Sequence, residues 1–412
     1  MTRAGQRMYG QIAWVSAGRL VAAVLQAVGL VLVARWAGPD RFGALSVVLG
    51  IATVAQTTAD LGLSTHVVRE RAASPHSGAV RRALVLNDRV SLVLGATAAL
   101  ALLGVGAGLD RTYLALLPLA VWLAAERNAD AWLGVAIADG DARLNVASLL
   151  GRRLLLLLGV LALTAAGVDP LLAYAGTAAV AALTASFSAR RAMLPRLPAA
   201  AAVPLRSVLR ETWPYWLNSL ATQARNLDVL VVAALAGAAQ TGYYSLASRV
   251  TSPLRILPTS MATVLVPAAS GASADELRPL VSVVRRMVLC MTALYVALAL
   301  LVPVGLPLLL GPAYANAVGP AQVVVLGLPF AASASLLGAL LQARGAKTFV
   351  AQVALGTTLS CLACVAWGAA EAGALGAAAG LASSFLLQSG VLVVRLVRVM
   401  HHDRADDPVV SA

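Results

Sequence analysis

The chain has 412 residues, is 60% hydrophobic and only 12% charged, with mean hydropathy +0.83. Soluble domains carry about a quarter of their residues as charges, so this composition excludes a soluble globular protein and points to an integral membrane protein. The net charge of +13 does not indicate a nucleic-acid partner, because the charges sit in short loops between apolar stretches, where membrane topology places them.

Twelve apolar spans follow in chain order: 10–34, 42–63, 84–108, 113–136, 145–167, 170–189, 213–236, 242–267, 284–309, 318–342, 348–369 and 373–397. At about 20 residues or more each is long enough to cross a bilayer as a helix, and none shows the alternation of a β-barrel strand. The fold class expected is therefore an all-α integral membrane protein of about twelve transmembrane helices, in two six-helix bundles around a central cavity. The lobes would be 1–192 and 213–398, joined by a basic linker at 193–212 and followed by a tail at 399–412. Leu205, Val208, Leu209 and Trp213 would share one face of an interfacial helix at the end of that linker, with a solvated linker as the alternative.

Charge in the loops sets the orientation. Twenty-two Arg or Lys residues fall on one side, among them Arg152 and Arg153, and three (Arg35, Arg41, Arg111) on the other. This predicts a multi-pass membrane protein with both termini in the cytoplasm. The loops on the sparse side are too short to hold a catalytic module. No phosphate loop, dinucleotide fingerprint or triad spacing is present, so no enzymatic activity is expected. His66, His76, His401 and His402 fall in loops or the tail. Cys290, Cys361 and Cys364 fall in apolar helices, where packing is the expected role. No resident metal or cofactor is predicted.

The two halves repeat. Arg19, Ala23, Gln26, Thr53, Gln56 and Asp60 map onto Asn218, Thr222, Arg225, Ser252, Arg255 and Thr259 at an offset of 199. Ala37-Gly38 maps onto Ala236-Gly237 at the same offset, and Ala142-Arg143 onto Ala346-Lys347 at 204. Helical spacing puts each set on one face. Polar stripes on otherwise apolar, duplicated helices build a wet chamber at the midplane, the signature of a transporter. Gln26, Thr53, Gln56, Asn218, Thr222, Ser252 and Thr259 are the predicted cavity stripe.

An arginine at mid-membrane costs about 2.5–3.5 kcal/mol on insertion scales, so several must be offset by a cavity or partner. Arg19, Arg225, Arg249 and Arg255 are candidates for an anion clamp, since guanidinium forks match phosphate oxygens. The alternatives are structural pairing of Arg225 with Asp228 and snorkelling of Arg249. Pro253 and Pro258 predict a broken span eight. Span four carries Glu126, Arg127 and Asp130, read either as a neutralised lock between helices or as the site of a coupling proton or sodium ion. Asp228 and Asp60 are further coupling candidates. Asp88 and Arg89 are expected to pair. Gly376 and Gly380 form a small-residue packing face.

Three patches carry a resemblance across nearly the whole chain. The first is Ala34-Arg35-Trp36-Ala37-Gly38-Pro39-Asp40-Arg41-Phe42-Gly43, with Ala59-Asp60-Leu61-Gly62-Leu63 and Val68-Arg69-Glu70. The second is Leu227-Asp228-Val229-Leu230 and Gly242-Tyr243-Tyr244-Ser245. The third is Gly311-Pro312-Ala313-Tyr314 and Gln342-Ala343-Arg344-Gly345-Ala346-Lys347. Together they resemble the O-antigen and capsule flippases of the multidrug/oligosaccharidyl-lipid/polysaccharide exporter (MOP) superfamily. The resemblance implies a V-shaped cavity lined by spans one, two, seven and eight. It implies a cargo, an oligosaccharide on undecaprenyl pyrophosphate, moved from inner to outer leaflet. Arg19, Arg225, Arg249 and Arg255 would hold the pyrophosphate, and a proton or sodium gradient would drive export. The expected partners are the lipid-linked glycan, membrane lipid and other polysaccharide-assembly proteins, with no nucleic acid. The alternatives are a multidrug or other amphiphile antiporter of the same superfamily, and a membrane glycosyltransferase or polymerase.

Overall fold

The computed structural model describes residues 3–197, 204–270 and 274–405. Among them the regular structure is entirely helical, with no strand. The chain divides into two compact units, Met1–Leu227 and Asp228–Ala412.

The first unit contains α1 (Arg3–Ala37), α2 (Pro39–Asp60), α3 (Leu63–Ala73), α4 (Gly78–Gly108) and α5 (Thr112–Ala115). It continues through α6 (Pro118–Ala138), α7 (Ala142–Ala165), α8 (Pro170–Met193) and α9 (Leu205–Gln223). The second contains α10 (Asp228–Val250), α11 (Ile256–Ser270), α12 (Ala274–Leu310), α13 (Val318–Ala343) and α14 (Lys347–Ala405). Nine segments among the described residues are long and apolar enough to cross a membrane. Two of these, Ala224–Ala262 and Thr348–Arg398, contain a backbone break, at Gly237 and at Ala372-Gly373. Each therefore holds two spans. The helix α6 is 21 residues long but carries Glu126, Arg127 and Asp130, which keep it out of the nine. With those three additions the count is twelve, and the protein is a multi-pass α-helical membrane protein.

Local structure repeats between the units. Gly38 lies between α1 and α2 with φ 80° and ψ 166°; Gly237, its partner at offset 199, has φ 85° and ψ 177°. This conformation is open to glycine and costly for other residues, which accounts for the shared Ala-Gly. The loops before α7 and α14 close alike. Gly140 N donates to Ile137 O and Asp141 N to Ala136 O, while Gly345 N donates to Gln342 O and Ala346 N to Leu341 O. Both are Schellman-type ends with a glycine at positive φ. Each unit also inserts a short helix between its third and fourth spans, α5 in one and the 3-10 turn Pro312–Ala317 in the other.

Each unit has its own apolar core. In the first, Leu63, Val67, Leu84, Trp132, Met193 and Val208 meet from α3, α4, α6, α8 and α9. In the second, Leu265, Val284, Leu336, Leu340 and Leu392 meet from α11 to α14. The fourth spans are the inner helices. In α6 thirteen residues are buried, among them Glu126 and Arg127, and the window of α13 is 72% buried.

The helix α14 folds back on itself at Ala372-Gly373. A Cβ on Gly376 would stand 1.9 Å from Gly368 O, and one on Gly380 would stand 2.4 Å from Cys364 O. The small-residue face predicted at Gly376 and Gly380 is therefore the seam of this hairpin, and it accounts for Cys364 as a packing residue. Gln240 Oε1 accepts from Ala374 N at 2.9 Å and fastens the turn to α10.

Three expectations need correction. The stretch after span two, read as loop, forms α3, with Leu63, His66 and Val67 buried on one face. Its 3–4 spacing is amphipathic but too short and polar to register as a span. His66 is thus a buried helical residue, its Nδ1 3.8 Å from Glu211 Oε2. The face predicted for the interfacial helix is divided: Val208 packs into the core, whereas Leu209 and Trp213 are exposed. The buried side is continued by Thr212, and α9 runs unbroken from Leu205 into span seven.

Candidate functional site

In the first unit a cleft of about 450 Å³ opens between α2, α3, α6 and the end of α9. Gln56, Asp60, Thr65, Arg127, Asp130 and Gln223 line it, with Thr57, Ser64 and Ser219 between them. Gln56 of the predicted stripe and Asp60, a coupling candidate, thus meet two of the span-four charges. Gln56 Nε2 donates to Leu123 O at 3.1 Å, which fixes α2 against α6. Asp60 ends α2, and its Oδ1 accepts from Ser64 N (3.4 Å) and Ser64 Oγ (2.5 Å) at the start of α3. Between the two helices Leu61 and Gly62 both have positive φ. A Cβ on Gly62 would stand 2.3 Å from Thr212 O of α9, so the Asp-Leu-Gly sequence makes a turn that only glycine can close here.

The span-four charges separate into two networks. Arg127 is buried, 4% exposed at its side chain. Its Nη1 donates to Ser91 Oγ (2.8 Å), its Nη2 donates to Ala59 O (2.7 Å), and Asp60 Oδ1 is 3.9 Å away. Arg127 therefore joins α6 to α2 and α4. Glu126 and Asp130 turn to α7. Arg152 Nη1 lies 2.9 Å from Glu126 Oε2, Arg152 Nη2 donates to Asp130 Oδ1 at 2.7 Å, and Arg153 Nη2 donates to Glu126 Oε1 at 3.0 Å. Arg152 and Arg153, counted among loop charges on the basic side, are bundle residues nearly halfway along α7. The cause is electrostatic: two carboxylates on the inner helix require buried cations opposite. Removing them from the loop count leaves twenty basic residues against three.

Asp88 does not pair with Arg89. Its carboxylate accepts from Trp132 Nε1 at 2.9 Å and meets Arg190 Nη1 at 3.3 Å, with the Arg190 guanidinium over the Trp132 ring. Nearby, Arg71 and Arg196 converge on Asp139 in the α6–α7 loop. In the loop before α8, Asp169 caps that helix through Leu171 N and Leu172 N and pairs with Arg41 at 2.6 Å. Burial alone would raise the Asp169 carboxyl. The bond from Arg41, the Leu172 and Leu171 amides and the charge of Arg41 together outweigh it and hold the group below the ordinary aspartate range.

Two of the four arginine candidates share a local setting. Arg225 lies in the 3-10 turn Ala224–Leu227 that interrupts span seven, and this turn packs on α2. Arg255 lies in the 3-10 turn Ser252–Arg255 that interrupts span eight. The break expected from Pro253 is there, and Tyr295 Oη donates to the carbonyl of Leu254 inside it at 2.9 Å. Arg255 stands 5.3 Å from the Phe385 ring centroid, a cation–π contact. Arg249 is in the last turn of α10, half-buried, and Arg19 is exposed on α1, where Gln26 is half-buried. Thr53 bonds back to Leu49 O, and Thr259 to Arg255 O; Ser252 is exposed. The side chains of Asn218 and Thr222 lie outside the described residues. In the second unit Asp228 is buried, and its Oδ2 accepts from Tyr244 Oη at 2.7 Å.

Among the described residues no group of three or more His, Cys, Asp or Glu side chains is placed to hold a metal. A second cavity, of about 360 Å³, lies along α2 between Val47 and Ala55, facing α4 and α6; its lining is almost wholly apolar.

The fold is similar to those of solved MOP superfamily transporters. The lipid II flippase MurJ in an inward closed conformation superposes with TM-score 0.75 at 12% identity, over 93% of this chain and 87% of that one. An inward-facing multidrug resistance MATE family transporter gives 0.72 at 13%, over 94% and 96%. A MOP superfamily transporter from Pyrococcus furiosus, described as having a binding pocket of reversed polarity, gives 0.59 at 13%, over 96% of both. Identities this low establish the fold alone. No curated protein matches in sequence. The family model of polysaccharide biosynthesis proteins matches residues 10–273, well over half of the sequence, and the chain belongs to that family.

Proposed function

We propose that this protein carries an oligosaccharide linked to a polyprenyl diphosphate from the inner to the outer leaflet by alternating access. The observation that carries the reading is the placement of Arg225 and Arg255. Each sits in a 3-10 interruption of a membrane span, where the backbone departs from the helix as it does at transporter binding sites. A guanidinium at such a break matches a diphosphate and opposes the cationic drugs of a multidrug antiporter. Family membership and the lipid II flippase among the structural neighbours support the same reading. Arg19 and Arg249 join the proposed anion-binding set. The protein works in the bacterial inner membrane with both termini cytoplasmic, an orientation that the basic loops support.

A proton or sodium gradient drives the cycle. Glu126 is held between Arg152 and Arg153, and Asp130 shares Arg152, which suits a structural lock. Asp228 is buried at the head of α10 beside the break that holds Arg225, and we assign it the coupling role in preference to Asp60.

The test is export in cells. Arg225→Ala and Arg255→Ala should each reduce surface glycan at least tenfold while membrane insertion is unchanged. Normal surface glycan in both variants contradicts the assignment.

A further inference from the structure

The polar cleft of the first unit is not explained by diphosphate binding. The charges that line it are two carboxylates, Asp60 and Asp130, and one guanidinium, Arg127; behind the lining, Arg152 pairs with Asp130 and, with Arg153, holds Glu126, so the connected network has three charges of each sign. The sum is zero, which favours neither a bare anion nor a bare cation. What the cleft offers is hydrogen bonding of both polarities. Among the described residues, every polar contact of Asp60 and Asp130 is made through Oδ1, which leaves Oδ2 of each to accept from another group. The buried Nε of Arg127 has no acceptor among the described residues. Gln56 Oε1 (its Nε2 is held by Leu123 O), the Nε2 of Gln223 (its Oε1 accepts from Asn226 Nδ2) and the hydroxyl of Thr65 complete a set of acceptors and donors around the space.

That chemistry matches a neutral ligand dense in hydroxyl groups. Adjacent hydroxyls donate to carboxylate oxygens and accept from guanidinium and amide N–H groups. A volume of about 450 Å³ lies in the range of small-molecule sites and has room for a sugar ring or two. The position is also suitable. Gln223 lies two residues before Arg225, so a ligand in the cleft ends beside the turn assigned to the diphosphate.

We propose that this cleft is a glycan subsite, which seats the first sugar residues of the cargo while Arg225 meets the diphosphate that follows. This rests on the lipid-linked cargo reading above. It adds that the first unit, through α2, α3, α6 and α9, selects the sugar.

The experiment uses the full chain in lipid nanodiscs with Cys290, Cys361 and Cys364 replaced by alanine. A single cysteine is placed either at exposed Thr65 (Thr65→Cys), in the cleft, or at exposed Asn226 (Asn226→Cys), in the arginine turn. Maleimide labelling is timed with two probes, a polyprenyl diphosphate and the same lipid bearing one hexose. The expected result is that both lipids protect the cysteine at 226, and only the sugar-bearing lipid slows labelling at 65. Gln56→Leu should raise the concentration of sugar-bearing lipid needed at 65 about tenfold, as loss of one or two hydrogen bonds predicts, with protection at 226 by the plain lipid unchanged. Protection at 226 with none at 65 overturns the glycan subsite and leaves the cargo reading intact. Equal protection at 65 by both lipids also overturns it. No protection at either cysteine by either lipid overturns the cargo reading itself.

Discussion

Charged groups in this protein are held by specific partners, and two of them carry direct tests. Arg152 is 3% exposed at its side chain and serves both Glu126 and Asp130. Arg152→Ala leaves the buried Glu126 with Arg153 alone and takes from Asp130 its ion-pair partner. Breaking a buried pair by removing one partner costs about 3–5 kcal/mol, so the variant should unfold well below the wild type in a detergent thermal melt. An unchanged melting temperature would show that the lock does not stabilise the fold. The second test concerns Asp169. Its carboxyl is held below the ordinary aspartate value of about 3.9. A depressed carboxyl contributes stability that is fully present above that value and is lost as pH falls through its folded-state value. Wild type should therefore lose its advantage over Asp169→Asn in the window below about pH 4, in melts followed by intrinsic fluorescence. A difference that stays constant across that window would mean that the Arg41–Asp169 pair contributes nothing.

Elements follow from hydropathy wherever a helix is long and apolar, and that part of the fold is legible in the sequence. What the sequence obscures is pairing between helices. Glu126 and Arg152 are 26 residues apart on different helices, and no spacing rule joins them before α6 and α7 are packed. Arg152 then reads as a loop charge because it lies close to the basic turn before α7. Likewise α3 is a short helix with few apolar residues, and only Leu63, His66 and Val67 show its buried face. Breaks were easier to read, since Pro253 and the Ala-Gly at Gly237 announce them chemically. Of the residues expected to face a cavity, Gln56 lines a cleft, as does the coupling candidate Asp60, while Thr53 turns its hydroxyl back on its own helix. The seam of α14 gives the element-scale test. Gly376→Leu puts a side chain where Gly368 O already stands, and overpacking costs at least about 1–3 kcal/mol. The variant should lose its monodisperse peak in size-exclusion chromatography, whereas Gly390→Ala, which meets nothing within 4 Å, should not. Wild-type behaviour of Gly376→Leu would mean that the hairpin is not closed at that seam.

At the scale of the molecule, two related units repeat a plan but not a chemistry. The Gly38 and Gly237 turns, the matching Schellman ends and the inner fourth helices are common to both. The charges of α6 have no counterpart in α13, where Phe330 and Ala334 stand at the matching positions. Buried charge is thus denser in the fourth span of the first unit, and the proposed site would take Arg255, Arg249 and the buried Asp228 from the second. The most direct measurement is leaflet transfer in proteoliposomes. Purified protein is reconstituted with a polyprenyl diphosphate-linked oligosaccharide in one leaflet, under an imposed proton or sodium gradient. Arrival of the glycan in the other leaflet is read with an added lectin or glycosidase. The account predicts gradient-dependent transfer by the wild type, and a rate in Arg225→Ala and Arg255→Ala no higher than in empty vesicles. Wild-type transfer at the empty-vesicle rate, or undiminished transfer in both arginine variants, would contradict it.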